Sequence, residues 1–517
     1  MDETSFSYKT LRNASYLFMG FLVPLAFGIF VTRELAIKLG AAEFGIFVLV
    51  NAISAFVGFV DLGLTTAITK YTAEYHAKGN MVGLRNLLSS SKVLFVITGS
   101  LGLIIFLAIG KWLLPYFHIS VQSASHIFWV FAFAGLVFFF NSLNSVYNAI
   151  LNALQRFDLI TKLNLINLVA VSLGTIILLN MGYRLKAIMA LNAFAGFIYV
   201  LAAVYYAKRE LPELHLGFFV DKHEIKKAYK FGLLTFVSNL AASALIYFDR
   251  LFIPIFLGPA QLAFYSVPGN VALKTTSVTN SLGGMFMPMA SAFEGSGEIG
   301  RLKIVYIRAF RNLSVVTAAI TVAIVLFADK ILYFWLGAEY AAKGTEVLVV
   351  LALTNYLVAL YVPLQGMLLG LGKMKFLIRQ SILMAILNIA LLIFLVPIFG
   401  ILGAAWAYLI SVLPMIYAFH WTEKRVFGIV AGQSRLYVWL YAKLTITAMV
   451  DGAIIYYLLV SLATNIWKLA IIGPLSVLLY ISLYYLFGFL EKEDVQLIKS
   501  FLQKFFRLRG KEVSVLK

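Results

Sequence analysis

Residues 86–110 read NLLSSSKVLFVITGSLGLIIFLAIG, in which Lys92 is the one charged side chain. A run of this length satisfies the roughly 20 apolar residues that a helix needs to cross the hydrocarbon core of a bilayer. The whole chain of 517 residues has the same character, since 62% of its residues are hydrophobic and 13% are charged. That composition leaves too little polar surface for water-soluble domains. The sequence therefore predicts an integral membrane protein.

Apolar runs of this kind recur along the chain between charged or turn-forming breaks, which predicts an all-α protein with about fourteen transmembrane helices. The predicted spans are 14–38, 44–68, 86–110, 124–151, 159–181, 186–206, 231–256, 262–288, 305–327, 345–371, 376–397, 401–421, 438–461 and 466–489. The loops between them are short, and none is long enough for a soluble catalytic domain.

Several kinds of chemistry have no support in the sequence. The chain has no cysteine, which excludes disulfides, iron–sulfur clusters and thiolate zinc sites. Its 6 histidines lie far apart, and neither a G-x-x-x-x-G-K loop nor an H-E-x-x-H pair occurs. We therefore expect no cofactor, no metal site and no direct ATP hydrolysis.

The basic residues are distributed unevenly, which predicts the orientation. If both termini lie on one side, that side and its helix ends hold 32 of the 42 lysines and arginines, with the largest basic loop between Lys208 and Lys230. By the positive-inside rule both termini are cytoplasmic, in a multi-pass protein of the cell (plasma or inner) membrane. The net charge of +19 is then partly topology and partly attraction to anionic membrane lipids, and we expect no nucleic-acid partner.

The basic loop divides the chain into two repeats. A shift of 218 residues places Leu39-Gly40 on Leu257-Gly258 and Gly79 on Gly297, and a shift of 217 places Gln155 on Gly372. Each repeat holds six spans, an even number, so a pseudo-twofold axis along the membrane normal is expected. The predicted parts are an N-terminal lobe (1–206), a basic cytoplasmic linker (207–230), a C-terminal lobe (231–422), spans 13 and 14 (438–489) and a basic cytoplasmic tail (490–517).

Several short motifs carry a resemblance to a known family. They are Thr32-Arg33, Leu39-Gly40-Ala41-Ala42-Glu43-Phe44-Gly45, Asp61-Leu62-Gly63-Leu64, Lys70-Tyr71-Thr72-Ala73-Glu74-Tyr75, Gln365-Gly366, Leu371-Gly372-Lys373 and Phe399-Gly400-Ile401-Leu402-Gly403-Ala404-Ala405-Trp406. Together they make the chain, up to about residue 425, resemble the polysaccharide-biosynthesis (O-antigen-type) flippases. Those flippases belong to the multidrug/oligosaccharidyl-lipid/polysaccharide exporter superfamily.

The resemblance implies two six-helix lobes around a V-shaped cavity and no enzymatic activity. It also implies a substrate, a sugar or oligosaccharide on a polyprenyl (pyro)phosphate, that moves from the cytoplasmic to the outer leaflet by alternating access. Polysaccharide polymerases or glycosyltransferases are the expected partners. In the related lipid II flippases the last two helices form a groove for the lipid tail, a role that spans 13 and 14 could fill.

Such a substrate carries an anionic phosphate through the membrane, so the cavity needs cations and polar groups. In span 8, Asn270, Lys274, Ser277 and Ser281 recur on one helical face. Lys274 is too far from either end of the span to reach water fully and must face water, an anion or a carboxylate. It contacts either the substrate or a partner that fixes helix packing.

Charged residues near the ends of spans 1, 2 and 7 are further candidates. Arg33 and Arg250 either bind phosphate or form salt bridges that close an outer gate. Their acidic neighbours Glu34 and Asp249 should point to other sides of the helix and not pair with them. Asp61 and Asp249 are candidates for coupling-ion binding or for a gate, and Asp61 also fits a structural role at a hinge.

Asparagines line one face of span 4 at Asn141, Asn144, Asn148 and Asn152. Amides donate and accept hydrogen bonds as sugar hydroxyls do, so the face could line a glycan path. Hydrogen bonds between helices explain the pattern equally well. Near the cytoplasmic ends of spans 3 and 9, Lys92 and Arg311 could attract a phosphate or could simply reflect topology.

Three alternatives remain. A lipid II flippase shares the architecture and differs in substrate. A multidrug or cation exporter usually has twelve spans and an acidic cavity, unlike this basic chain. A membrane glycosyltransferase or polymerase would need catalytic acids and normally a large outer loop.

Overall fold

The computed structural model describes residues 3–58, 64–118, 124–212, 216–428 and 435–489. All regular secondary structure in these ranges is helical, which confirms the all-α prediction. The α-helices are α1 (Glu3–Val57), α2 (Leu64–Ala77), α3 (Met81–Ala108), α4 (Ala124–Ala153), α5 (Phe157–Asn180), α6 (Leu185–Glu210), α7 (Lys222–Leu257), α8 (Pro259–Ala272), α9 (Lys274–Gly295), α10 (Ile299–Leu326), α11 (Ala328–Leu336), α12 (Ala338–Gly370), α13 (Met374–Val412), α14 (Pro414–Arg425), α15 (Arg435–Ile454) and α16 (Ile466–Leu486).

Ten segments within the described ranges are long and apolar enough to cross a membrane. The chain is therefore a multi-pass membrane protein, while the count of fourteen spans stays a prediction. The two numbers differ partly because helices continue where the sequence predicts a break. Residues 27–57 form one such segment that contains parts of two predicted spans, and residues 374–425 form one that contains two whole predicted spans.

Positive φ angles recur at corresponding positions of the two repeats. Gly40 (φ 75°, ψ 167°) and Gly258 (φ 84°, ψ 167°) have nearly the same conformation. Positive φ also recurs at Gly79 and Gly297, and at Gln155 and Gly372. Glycine adopts such angles without the steric cost of a Cβ atom. The residue pairs found by shifting the sequence thus share their local geometry.

One compact unit consists of Met1–Val267 and Ile378–Ser411. Its core lies where α2, α3, α4 and α6 pack together and includes the buried side chains of Leu84, Phe95 and Ile150. At Gly102 of α3, a Cβ atom would lie 2.2 Å from the ring of Phe138 on α4. Small residues that let helices approach are typical of membrane proteins, where van der Waals packing drives helix association.

The other compact unit consists of Pro268–Leu377 and Val412–Lys517. Here α9 packs on α12, and a Cβ atom on Gly370 would lie 2.4 Å from the carbonyl oxygen of Met287. The helices of predicted spans 13 and 14, α15 and α16, pack on α10, and the Tyr480 hydroxyl donates to the Leu444 carbonyl at 2.9 Å. The division into lobes at 206 and 231 stays a prediction.

Candidate functional site

An apolar cavity of about 590 Å³ lies in the second unit, and Lys274 is its single charged lining residue among those that the structure describes. The lining comes from α8, α9, α10, α11 and α16, with Phe327 between α10 and α11. It comprises Val271, Lys274, Ile320, Ala323, Ile324, Phe327, Ile331, Leu469, Gly473, Pro474, Val477 and Leu478. We call this cavity the groove. A cation at its apolar wall suits a ligand that has an anionic group attached to a long hydrocarbon.

Lys274 is the first residue of α9, and its side chain is exposed. It has no hydrogen bond or ion pair with any residue that the structure describes. One interpretation of this lysine is that it contacts a partner that fixes helix packing. No such partner lies within the described ranges. A cation beside an apolar surface needs water or an anion in place of such a partner.

The polar face predicted around Lys274 is largely accessible. Asn270 and Ser281 are exposed, and Ser277 is half-buried. The Ser281 hydroxyl donates to the Ser277 carbonyl of its own helix at 2.9 Å, which leaves its lone pairs open to a further donor. The other face of α9 is buried and includes Thr275, Thr276 and Thr279.

Asp249 in α7 is buried and held by hydrogen bonds within the first unit. The Tyr265 hydroxyl donates to one carboxylate oxygen, and the Arg250 backbone N–H donates to the other at 2.7 Å. Tyr265 is itself 2% exposed. The carboxylate thus joins α7 to α8.

The two candidate arginines have different surroundings. Arg250 lies 5.7 Å from the centre of the Tyr247 ring. Arg33 is about half exposed and contacts Glu34 at 3.7 Å, so the prediction that these adjacent charges do not pair is wrong. Long side chains can bend toward each other along a helix surface, although a contact of this length and exposure contributes little. Glu34 makes a shorter contact, 3.0 Å, with Lys38.

The asparagine face of α4 is divided between exposure and packing. Asn141 is exposed, whereas Asn144 is buried and Asn148 is half-buried. The Tyr199 hydroxyl of α6 lies 2.9 Å from Oδ1 of Asn164 in α5 and 3.4 Å from Oδ1 of Asn148. Three helices therefore meet at the Tyr199 hydroxyl, and Asn148 has the inter-helical role that amides commonly have in membranes.

The remaining candidates lie apart from one another. Asn152 is half-buried in the last turn of α4, Lys92 is half-buried in α3, and Arg311 is buried in α10. Lys92 belongs to the first unit and Arg311 to the second. Asp61 lies outside the described residues. Within those residues no group of three histidine or acidic side chains could hold a metal ion.

Sequence reasoning missed a cluster that fastens the linker to α2. The Lys227 ammonium donates to the Tyr75 hydroxyl at 2.9 Å, and this hydroxyl donates to the buried Glu224 carboxylate at 2.7 Å. Burial raises the pKa of Tyr75, and the hydrogen bond to Tyr75 raises the pKa of Lys227. The one local signal is the helix start, where the Asp221 side chain accepts from the backbone N–H of Glu224.

Sequence reasoning also missed Asp451, a carboxylate within α15. The residue is 1% exposed, and neither of its oxygens has a hydrogen-bond partner among the described residues. Buried carboxyl groups without partners are rare inside membrane proteins because of their desolvation cost. Its one sequence signal is its position within a predicted span.

Comparisons with known proteins agree on one family and one fold. The family described as "Polysaccharide biosynthesis protein" matches residues 10–294. A Shigella flexneri protein named "Putative O-antigen transporter" is 24% identical over 416 residues, which are 80% of this chain and 98% of that protein. A Haloferax volcanii protein named "Probable low-salt glycan biosynthesis flippase Agl15" is 22% identical over 378 residues, 72% of this chain and 75% of that protein.

Solved structures share the fold at low identity. The lipid II flippase MurJ, in an inward closed conformation, has a TM-score of 0.68 and 14% identity and covers 91% of this chain and 99% of its own. An inward-facing multidrug resistance MATE transporter of the MOP superfamily has a TM-score of 0.65 and 16% identity and covers 80% of this chain and 98% of its own. The predicted all-α membrane fold is thereby confirmed, while the fourteen spans and the two six-helix lobes stay predictions.

Proposed function

Because the chain belongs to the polysaccharide biosynthesis protein family, we propose that it is a flippase for lipid-linked glycans. Its substrate is a sugar or oligosaccharide on a polyprenyl (pyro)phosphate, and it moves this substrate from the cytoplasmic to the outer leaflet. The names of the Shigella and Haloferax relatives support this substrate class. The reaction makes and breaks no covalent bond, so the protein is a transporter and not an enzyme.

The observation that carries the proposal is the position of Lys274 on an apolar groove. The substrate has three chemically different parts: a long hydrocarbon, an anionic phosphate and a hydroxyl-rich glycan. The groove offers apolar walls to the first, the Lys274 ammonium suits the second, and the accessible polar face with Asn270 and Ser281 suits the third. A multidrug or cation exporter has less use for a cation at such a groove.

The groove also gives the last two predicted spans a role. Residues Leu469, Gly473 and Val477 of α16 form one of its walls. Their spacing of four residues places them on one helical face. We infer that span 14 contacts the polyprenyl chain. Span 13 packs against span 14, where the Tyr480 hydroxyl donates to the Leu444 carbonyl.

Alternating access is the mechanism that we infer for the movement. The lobes 1–206 and 231–422 rock as bodies about a site near the middle of the membrane, and the linker 207–230 joins them. Both termini lie in the cytoplasm, in the plasma or inner membrane, because the basic loops then obey the positive-inside rule. Polymerases or glycosyltransferases that use the same lipid-linked glycan are the natural partners.

Reconstitution tests the proposal directly. The purified protein in proteoliposomes should move a fluorescent polyprenyl-pyrophosphate oligosaccharide between leaflets, measured by its accessibility to a membrane-impermeant reagent. Protein-free vesicles and a vesicle-borne Lys274→Met variant are the controls. Movement of lipid II alone would favour the lipid II flippase alternative. Movement of neither lipid, with cation-driven export of a lipophilic drug, would refute the flippase proposal.

A further inference from the structure

A second cavity, of about 360 Å³, lies in the first unit where α3, α4 and α6 meet the linker. Lys92 of α3 and Lys208 of α6 both line it. Apolar and aromatic side chains, among them Ile150, Tyr147 and Leu216, form the remaining wall. The cavity has the size of a small-molecule site and combines two cations with an apolar surface.

The two lysines repel each other and have no acidic partner among the described residues. The nearby acid on α6, Glu210, instead forms an ion pair with Arg156. The Lys92 ammonium lies 3.8 Å from the centre of the Phe218 ring, so an aromatic face stabilises one of the two charges. An anion between the ammonium groups would remove the repulsion that remains.

The linker is held in place over this part of α3. The backbone N–H of Gly217 donates to the Ser89 hydroxyl at 3.1 Å, and that of Asp221 donates to the Ser90 hydroxyl at 2.7 Å. Both serines are buried. The positive-inside rule explains lysines on this side of the membrane, but it does not explain a lysine half-buried beneath a fastened loop.

The second repeat does not reproduce the pair. The shift of 218 residues places Lys92 on Phe310, which is buried, whereas the shift of 217 that applies from Gln155 onward places Lys208 on Arg425. The position of Lys92 is therefore apolar in the second repeat, whereas the position of Lys208 is basic in both repeats. Packing of this helix arrangement therefore does not require a cation at the position of Lys92, and a ligand would explain why one is there.

We propose that the cavity is a binding site for a phosphate-bearing ligand, with Lys92 and Lys208 as its two cations. The phosphate has two sources: the head group of an anionic phospholipid in the adjacent leaflet, or a soluble compound such as pyrophosphate. The apolar wall favours the phospholipid, whose glycerol and first acyl carbons it would contact. This site is distinct from the groove at Lys274, and the proposal does not depend on transport.

Native mass spectrometry of the full-length protein, released from nanodiscs, tests the proposal. The nanodiscs contain phosphatidylcholine alone or phosphatidylcholine with phosphatidylglycerol, and a third arm adds inorganic pyrophosphate to the first. The variants are Lys208→Gln, whose side chain is exposed, and Lys92→Met, which keeps the apolar stem. Lys226→Gln removes a charge from an exposed position on the nearby helix α7 and is the matched control.

We expect tightly retained phosphatidylglycerol on the wild-type protein and on Lys226→Gln. Each lysine variant should weaken retention about fivefold, the effect of one basic residue on an anionic lipid. Backbone hydrogen exchange at Gly217 and Asp221 should slow when the ligand is bound. Pyrophosphate binding with the same dependence on the lysines would identify the soluble source instead. The proposal would be overturned if Lys208→Gln retained phosphatidylglycerol and pyrophosphate as well as the wild-type protein does. It would also be overturned if Lys226→Gln lost as much ligand retention as the two lysine variants.

Discussion

Gly45 of α1 and Pro259 of α8 meet backbone to backbone. A Cβ atom on Gly45 would lie 1.8 Å from the carbonyl oxygen of Pro259. Both residues lie shortly after the left-handed glycines Gly40 and Gly258, at the corresponding helix starts of the two repeats. Any side chain at position 45 must therefore push the two helix starts apart.

The first prediction is that Gly45→Ala lowers the free energy of unfolding by about 1–3 kcal/mol, the usual cost of overpacking. Thermal unfolding in detergent or nanodiscs measures the change. Gly284→Ala is the control, since a Cβ atom there meets no atom within 4 Å. Equal melting temperatures for the two variants would show that the helix starts separate at no cost.

The second prediction concerns Lys274 and the proposed transport. Lys274→Ala should reduce the initial rate of glycan-lipid movement about 10- to 100-fold, because a charge-assisted contact to phosphate contributes about 1.5–3 kcal/mol. Lys274→Arg keeps the charge and should retain part of the activity. Lys373→Ala, an exposed lysine in the same unit, should behave as wild type. An unimpaired, stably inserted Lys274→Ala variant would remove this residue from the mechanism.

The third prediction tests the groove by filling it. Gly473 lines the cavity, and a Cβ atom there meets no atom within 4 Å, so Gly473→Trp should place an indole in the groove without disturbing the helix. Transport of a long polyprenyl carrier should fall more than transport of a short one. Gly473→Ala should leave both unchanged. A tryptophan variant that slows both carriers equally would argue against a tail in this groove.

The fourth prediction concerns pH and the cluster of Tyr75, Glu224 and Lys227. The pKa values of Tyr75 and Lys227 are raised above their ordinary values of 10.0 and 10.5, so the folded protein holds both protons more tightly than the unfolded chain. This stabilisation is complete below pH 10 and is lost as the pH rises through the raised values. The melting temperature should therefore decline above pH 10.

Tyr75→Phe provides the comparison for that decline. It leaves the buried Glu224 carboxylate without its donor, which should cost about 1–3 kcal/mol at neutral pH. The decline of its melting temperature above pH 10 should also be shallower than in the wild-type protein, because the Tyr75 hydroxyl and its hydrogen bond to Lys227 are already absent. Parallel curves for the two proteins from pH 7 upward would contradict the role of this cluster.

The fifth prediction concerns orientation, and the cysteine-free chain makes it simple to test. Single cysteines at Lys222, which is exposed, and at Gly510 in the basic tail should react only with reagents that cross the membrane. A cysteine at Ala341, near the start of α12, should react from outside the intact cell. Labelling of position 222 from outside would reverse the predicted topology.

The sequence predicted the fold well because its main signals are local. Apolar run length determines which segments enter the membrane, and the left-handed turns fall at glycines such as Gly40 and Gly258, where the backbone conformation restricts the residue type. Lys274 was also predictable as a candidate. A lysine in the middle of an apolar span is expensive and therefore conspicuous.

The tertiary contacts were not predictable in the same way. Tyr75 and Glu224 are separated by 149 positions, and neither residue is unusual in its own segment. The burial of Asp451 depends on how α15 packs, which no property of the helix alone determines. The groove beside Lys274 likewise combines apolar residues from four helices, and none of those residues is unusual in its own helix.

The groove and its lysine belong entirely to one compact unit, and the Lys330 ammonium of α11 donates to the Val460 and Ala463 carbonyls at the end of predicted span 13, at 2.7 and 3.2 Å. If these hydrogen bonds make α15 and α16 move together with the lobe 231–422, the groove keeps its width during the movement. Isoprene units bound there would stay bound throughout a transport cycle. The tail would then act as a tether, and each cycle would need to overcome the barrier for the head group alone.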